Sequence, residues 1–272
     1  MARGVRLAGA TVLVTGGGSG LGRQIALRSA RRGARVVVWD RDEAAARSVR
    51  DDIRAHGRQA DHEVVDVTDE TAVAAAADRT GPVDVLVNNA GVVTGRRLLD
   101  ADPRAIRRTF EVNTLALYWT TRAVLPGMLA RDRGLVVTVA SAAGLIGVAR
   151  QTDYSASKFA AVGFTESLRA ELRAEGSAVS TMLVATYYID TGMFAGVRTR
   201  FPLLLPILHE GDVGERVVAG IESGRRQLLL PPLVHTLAPL RALPVAAFDA
   251  MADILGINRT MDHFVGRTPA RD

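Results

Sequence analysis

Tyr154 and Lys158 stand four residues apart in the stretch DYSASKFAAVG, residues 153 to 163, and Lys158 is the one lysine of a chain whose other 33 basic side chains are arginine. On a solvated face either cation serves, so a position that keeps lysine points to a task for a compact ammonium on a flexible stem. Residues i and i+4 of a helix share a face, which lets the phenol and the ammonium enter one cleft. A phenol with an ordinary pKa of about 10 is a poor base near neutrality unless positive charge favours the phenolate. With that help Tyr154 can take a proton from an alcohol or return one to a carbonyl. Ser141, 13 residues earlier, closes an apolar run and is placed to hold the substrate oxygen as charge develops. Asn113, in FEVNT, is expected to hold a water linking Lys158 to bulk solvent. A tyrosine and a lysine at this spacing also occur by chance as a surface pair, so the reading depends on what surrounds them.

The scaffold is written in short β-branched apolar runs separated by segments of helix length: 11–16, 34–40, 60–66, 83–89, 135–141 and 178–184, with 227–231 as a seventh. Continuous apolar character over so few residues suits a parallel strand covered on both faces, and alternating βα units imply a doubly wound α/β parallel sheet. Asp102 before Pro103 reads as a helix N-cap, and Asp212 with Glu215 has capping-box spacing. No Pro/Gly/Ser-rich linker or repeat divides the chain. A single domain over 1–272 is expected, with a cap over about 190–210 and an appendage over about 231–272.

The first strand runs into Gly16, Gly17, Gly18, Ser19, Gly20, Leu21 and Gly22. Glycines there let the backbone approach a pyrophosphate at the N-terminus of the next helix, where free N–H groups favour anions. A turn built only for tightness would read the same, but the place between strand and helix favours binding. Asp40, 18 residues after Gly22, ends the second strand. A carboxylate there accepts both adenosine ribose hydroxyls and repels a 2′-phosphate, which favours NAD over NADP; Arg41 beside it pulls the other way. Asp66, with Val67 after it, either pairs with the adenine amino group or serves as a turn or cap acid before TDET.

Composition narrows the classes. The 272 residues are 48% apolar and 23% charged, which suits a globular core rather than disorder. No cysteine is present, so disulfides and thiolate metal sites are excluded, in keeping with a cytoplasmic protein. The five histidines show no metal-ligand spacing. The net charge of +5 comes from arginines scattered among acids with no run beyond a doublet, which argues against nucleic acid. No apolar leader precedes the first strand, and no signal peptide is expected. Residues 227–248 are strongly apolar, but four prolines, His235 and Arg241 interrupt them and argue against a spanning helix. Contact with a membrane surface stays open.

Taken in order, the glycine turn, the strand-end acid, NNAG at 88–91, Asn113, Ser141, Tyr154 and Lys158 resemble the short-chain dehydrogenase/reductase family over roughly 8–230. The resemblance implies a Rossmann-type sheet, a nicotinamide dinucleotide, and a catalytic tetrad of Asn113, Ser141, Tyr154 and Lys158. It implies that Lys158 bonds the nicotinamide ribose and lowers the Tyr154 pKa, and that Asn89, Ala90 and Gly91 line the cofactor side. Where the family has Pro-Gly after its sixth strand this chain has Thr186 and Tyr187, while Ile189 and Thr191 match the positions that contact the carboxamide. Family members assemble through long helices, here near 103–131 and 153–175, so a homo-oligomer is expected. The tail, 241–267, resembles the branch with retinol and 17β-hydroxysteroid dehydrogenases.

The cap carries Met193, Phe194, Phe201, Leu203, Leu204 and Leu205, where a sugar-binding lid would be polar. Apolar lining points to a lipophilic alcohol, ketone or aldehyde; packing as core or at a subunit interface is the competing account. A dinucleotide-binding regulator without turnover is the rival function, and it would not need Tyr154 and Lys158 together.

Overall fold

The structure is a computed structural model and describes residues 4–266; the outer ends of the expected domain and appendage, 1–3 and 267–272, lie outside the described residues. Seven parallel strands form one sheet: β1 Thr11–Thr15, β2 Arg35–Asp40, β3 Ala60–Val64, β4 Val85–Asn88, β5 Leu135–Val139, β6 Ser180–Thr186 and β7 Gln227–Leu230, in the order β3-β2-β1-β4-β5-β6-β7. Helices α1 Gly20–Arg31, α2 Glu43–Ala55 and α7 Glu210–Glu222 cover one face. Helices α3 Glu70–Thr80, α5 Ala116–Ala130 and α6 Thr152–Ala174 cover the other. The alternation within β1 shows why its run is apolar throughout: Val12 and Val14 pack with Ile25 and Val217, whereas Leu13 packs with Trp39 and Met128.

The strand order reverses at β1, which pairs β2 on one side and β4 on the other. In such sheets the crevice beyond the carboxyl ends of those strands receives ligands. Most candidate residues, among them Asp40, Asn89, Ser141, Tyr154 and Lys158, lie at the strand ends or on the helix wall bordering that crevice.

Asp42 and Asp69 cap α2 and α3 by accepting Ala45 N and Ala72 N at 3.0 Å, and Asp102 caps α4, Pro103–Phe110, with Pro103 at its first position. The capping box expected from Asp212 and Glu215 is not formed. His209 caps α7 by accepting Gly211 N at 3.2 Å, Asp212 falls inside the first turn, and Glu215 instead pairs with Arg28 of α1 and Arg32 just past its end.

Between α4 and α5 the chain makes one π-helical turn, Glu111–Leu115, which holds Asn113. The cap is irregular but tied down: Leu208 N donates to Tyr188 O at 2.8 Å and Glu210 N to Asp190 Oδ1 at 2.7 Å. The C-terminal part forms two short helices, α8 Leu237–Leu240 and α9 Val245–Ile254, flanked by 3-10 turns. Leu205 of the cap packs with Val234, Leu237, Ala252 and Ile257 in a small core of their own. Among the described residues no helix is long and apolar enough to cross a membrane.

Candidate active site

One cavity of about 930 Å³ runs along the carboxyl ends of the strands. At one end it is lined by Gly16, Ser19, Gly20, Leu21, Asp40, Arg41, Asp66 and Val67; at its middle by Asn89, Ala90, Gly91, Ser141, Tyr154, Lys158, Ile189 and Thr191. Four residues expected at the dinucleotide and catalytic ends, Gly17, Gly18, Gly22 and Asn113, do not line it. Each acts one layer behind.

Gly22 shows why its place must be bare. A Cβ there would lie 2.2 Å from Gly16 O and 2.5 Å from Asn89 Nδ2. Its absence lets the Asn89 amide donate to Thr15 O at 3.0 Å and Gly16 O at 3.1 Å, which locks the glycine turn to the end of β4. Gly18 N donates to Asp40 Oδ2 at 3.0 Å, and Asp42 N to Asp40 Oδ1 at 3.1 Å, so the strand-end carboxylate is oriented by main-chain donors. The turn delivers the chain into α1 through Gly20 with φ +50°, and Ser19, Gly20 and Leu21 face the cavity at that helix N-terminus. A bare turn, a helix N-terminus and an oriented acid suit an adenosine diphosphate half, so the residues fit the dinucleotide.

Asp66 is a turn acid that also lines the cavity, and the helix cap is Asp69. It lines the cavity, and it accepts Thr68 N at 3.0 Å, Thr68 Oγ1 at 2.8 Å and Arg108 Nη2 at 2.8 Å. Burial alone would raise its carboxyl, but the Thr68 bonds and the Arg108 guanidinium hold it below the usual carboxylate value. Arg108 also lines the cavity. Nothing local in the sequence marks it, because the pairing spans 42 residues.

At the other end, Ser141 follows β5 by two residues and starts a 3-10 turn in which Ala143 N donates to its Oγ at 3.1 Å. The α6 spacing puts Tyr154 and Lys158 into the same wall, both buried, with Nζ 5.8 Å from the phenol ring centroid. The phenol is not acidified in the protein alone. Burial pushes it up to about 12, with the Ser141 hydrogen bond pulling back, and burial draws the Lys158 ammonium down to about 8. Desolvation drives both groups toward their neutral forms, and Nζ donates to Val139 O at 2.9 Å.

Asn113 is fixed by bonds within the protein. Its side chain is 1% exposed; Oδ1 accepts Val92 N at 2.8 Å, and Nδ2 donates to Val92 O at 2.9 Å and Ser157 Oγ at 3.0 Å. Both amide hydrogens are used within the protein, so the side chain braces the loop after β4 against α6.

Beyond Tyr154 the cavity is apolar. Met193, Phe194, Leu204 and Leu205 of the cap line it, while Leu203 is 99% exposed and Phe201 stands outside it. The appendage supplies the opposite wall with Leu233, Leu237, Leu240, Met251, Leu255 and Phe264, a role that its prolines and lack of period concealed. Tyr187, in the place of the family glycine, also lines it, and burial raises its phenol while Thr199 pulls back. Phe194 meets the Tyr154 ring edge-on at 5.6 Å and the Tyr188 ring at 5.0 Å. Among the described residues no group of acids and histidines is placed to hold a metal ion.

A glycine turn at the switch point of a parallel sheet, with a Ser, Tyr and Lys facing the same crevice, defines a dinucleotide-dependent oxidoreductase. The sequence model of the short chain dehydrogenase family matches residues 10–200, and the chain belongs to that family. The human epidermal retinol dehydrogenase 2 is 40% identical over 95% of this chain and 86% of its own length. The human short-chain dehydrogenase/reductase 3 is 38% identical over 94% and 87%. A Burkholderia phymatum short chain dehydrogenase/reductase solved in complex with NAD superposes with a TM-score of 0.80 at 27% identity, covering 98% of this chain and 99% of that one. A metagenomic short-chain oxidoreductase solved with NADP gives 0.70 at 32% identity, over 84% and 99%. The chain is therefore an NAD(P)-dependent enzyme of this family.

Proposed function

We propose that this enzyme interconverts lipophilic alcohols and their carbonyl partners, retinoid-, steroid- or long-chain-like, with NAD favoured over NADP. The observation that carries the reading is the apolar extension of one cavity from Tyr154 to the cap and the C-terminal wall. The retinol dehydrogenase relatives support the substrate class. Asp40, oriented by Gly18 and Asp42, supports NAD.

When bound, the nicotinamide dinucleotide supplies the hydride acceptor or donor. The remaining work belongs to the chain. Ser141 Oγ holds the substrate oxygen, and Tyr154 Oη takes its proton in oxidation or donates one in reduction. Lys158 adds the positive charge that a buried phenolate needs, and the apolar walls exclude water. A cofactor-binding scaffold without turnover is not favoured, since Ser141, Tyr154 and Lys158 all face the cavity where substrate would sit. A screen of lipophilic alcohols and ketones with both cofactors tests the reading: turnover of apolar alcohols supports it, and turnover confined to polar polyols or none at all removes it.

We infer in addition that the rim of the cavity meets lipid surfaces. Leu203, Leu204, Val245 and Ile254 are exposed on the cap and α9, and Arg200 ties the two segments by donating to Ile254 O at 3.0 Å. For assembly we infer a homo-oligomer joined along α5 and α6. Tyr118, 43% exposed, stacks edge-on against Phe164 there at 4.9 Å, and light scattering after size exclusion tests it.

A further inference from the structure

Asp153 sits in the first turn of α6, immediately before Tyr154, and is 5% exposed. The proton chemistry above does not use it. A carboxylate at the positive end of a 23-residue helix is favoured by the helix dipole, but an exposed acid would gain that as well. This one is buried, and among the described residues its carboxylate has no cationic partner. Its donors are hydroxyls. Thr94 Oγ1 lies 2.8 Å from both carboxylate oxygens, and Thr109 Oγ1 lies 3.0 Å from Oδ2. The Thr109 hydroxyl is also 3.0 Å from Ala105 O, and with one hydrogen it serves one acceptor at a time. Thr94 is then the principal donor to the buried Asp153 side chain.

The two threonines come from two different pieces of the site. Thr94 belongs to the loop after β4 that carries Asn89, Ala90 and Gly91, and it lines the cavity itself. Thr109 lies in the last turn of α4, just ahead of the π turn that holds Asn113. Asn113 joins the same three pieces in the reverse sense, reaching from the π turn to Val92 of the loop and Ser157 of α6. The loop, the α4–α5 junction and the catalytic helix are thus closed into a ring at two points. One of them is Asp153.

We propose that Asp153 is a positioning residue, which through Thr94 fixes the 91–94 edge of the cavity against Tyr154. This rests on the reading that Tyr154 moves the substrate proton. Asp153 touches no reacting atom, so its loss acts on alignment, where a small displacement is costly to rate and cheap to binding.

The test is a double-mutant cycle in the full chain with Thr94→Val, Asp153→Asn and the pair, using the alcohol that the parent enzyme turns over fastest and its carbinol-deuterated form. Each single variant should lower kcat by about tenfold to a hundredfold while KM moves by less than about threefold, and should enlarge the isotope effect on kcat. The double variant should be no worse than the poorer single one, because the two groups form one contact. Hydrogen exchange supplies a readout independent of turnover: protection of residues 89–95 should fall by about tenfold in Thr94→Val at an unchanged melting temperature. Additive losses, a Thr94→Val enzyme with parental kcat, or unchanged protection of that loop would each overturn the proposal. Absence of turnover in the parent enzyme would instead strike the functional reading, and the exchange measurement would still judge Asp153.

Discussion

Lys158 Nζ donates to the main-chain oxygen of Val139 at 2.9 Å and overlooks the Tyr154 ring from 5.8 Å. The ammonium is anchored to the end of β5, next to Ser141, so strand and helix present their catalytic groups as one unit. Both Tyr154 and Lys158 lose hydration there, and the protein alone keeps the phenol neutral. A neutral phenol is the form that donates a proton in reduction; in oxidation the cationic ring of a bound dinucleotide would add positive charge beside Lys158.

That burial has a thermodynamic signature. Lys158 holds its proton less tightly when folded, at about 8 against an ordinary 10.5, so between those values the unfolded chain binds more protons and stability rises with pH. Denaturation of the cofactor-free protein at about pH 7.5 and about pH 10 should show the parent gaining on the order of 2 kcal/mol relative to Lys158→Met. Parallel pH dependences in the two proteins would mean that the amine is hydrated.

Cofactor choice should follow Asp40. Its carboxylate is held by Gly18 N and Asp42 N, and Asp40→Ala removes the group that repels a 2′-phosphate. The ratio of kcat/KM with NAD to that with NADP should fall by about tenfold or more. An unchanged ratio would assign discrimination to another residue, and Arg41 or Arg108 would be the next to vary.

Lipid contact is tested at the rim rather than by truncation, because residues 233–266 wall the cavity and their removal would open it. The paired substitution Leu203→Asp and Val245→Asp alters side chains that are 99% and 77% exposed. The parent should float with mixed phosphatidylcholine and phosphatidylglycerol vesicles and the variant should not, with turnover of a short soluble alcohol retained. Equal flotation would rule out this surface.

Much of this was legible from local pattern. Strands such as Val36–Trp39 announce themselves because both faces are covered, Gly16, Asp40 and Ser141 sit at strand ends, and Tyr154 and Lys158 share one helix face, so short motifs carry their own geometry. What could not be read depends on contacts far apart in the chain. Arg108 reaches Asp66 across 42 residues. Phe264 packs on Gly95, where a Cβ would lie 2.1 Å from the ring, and with Leu205 packing on Val234 and Leu237 this turns an apparent appendage into a pocket wall. The bracing role of Asn113 rests on three hydrogen bonds to Val92 and Ser157 that no local motif announces. The Asp212 box failed because His209, three residues before the expected cap, captured the helix end first.

The central claim is that the Tyr154 hydroxyl carries the substrate proton, and replacing it with hydrogen tests this most directly. Tyr154→Phe should lower kcat for lipophilic alcohols by at least about a hundredfold, while the Kd for NADH from fluorescence titration stays within about twofold of the parent. A Tyr154→Phe enzyme within about threefold of the parent kcat, with the cofactor bound equally well, would contradict the account.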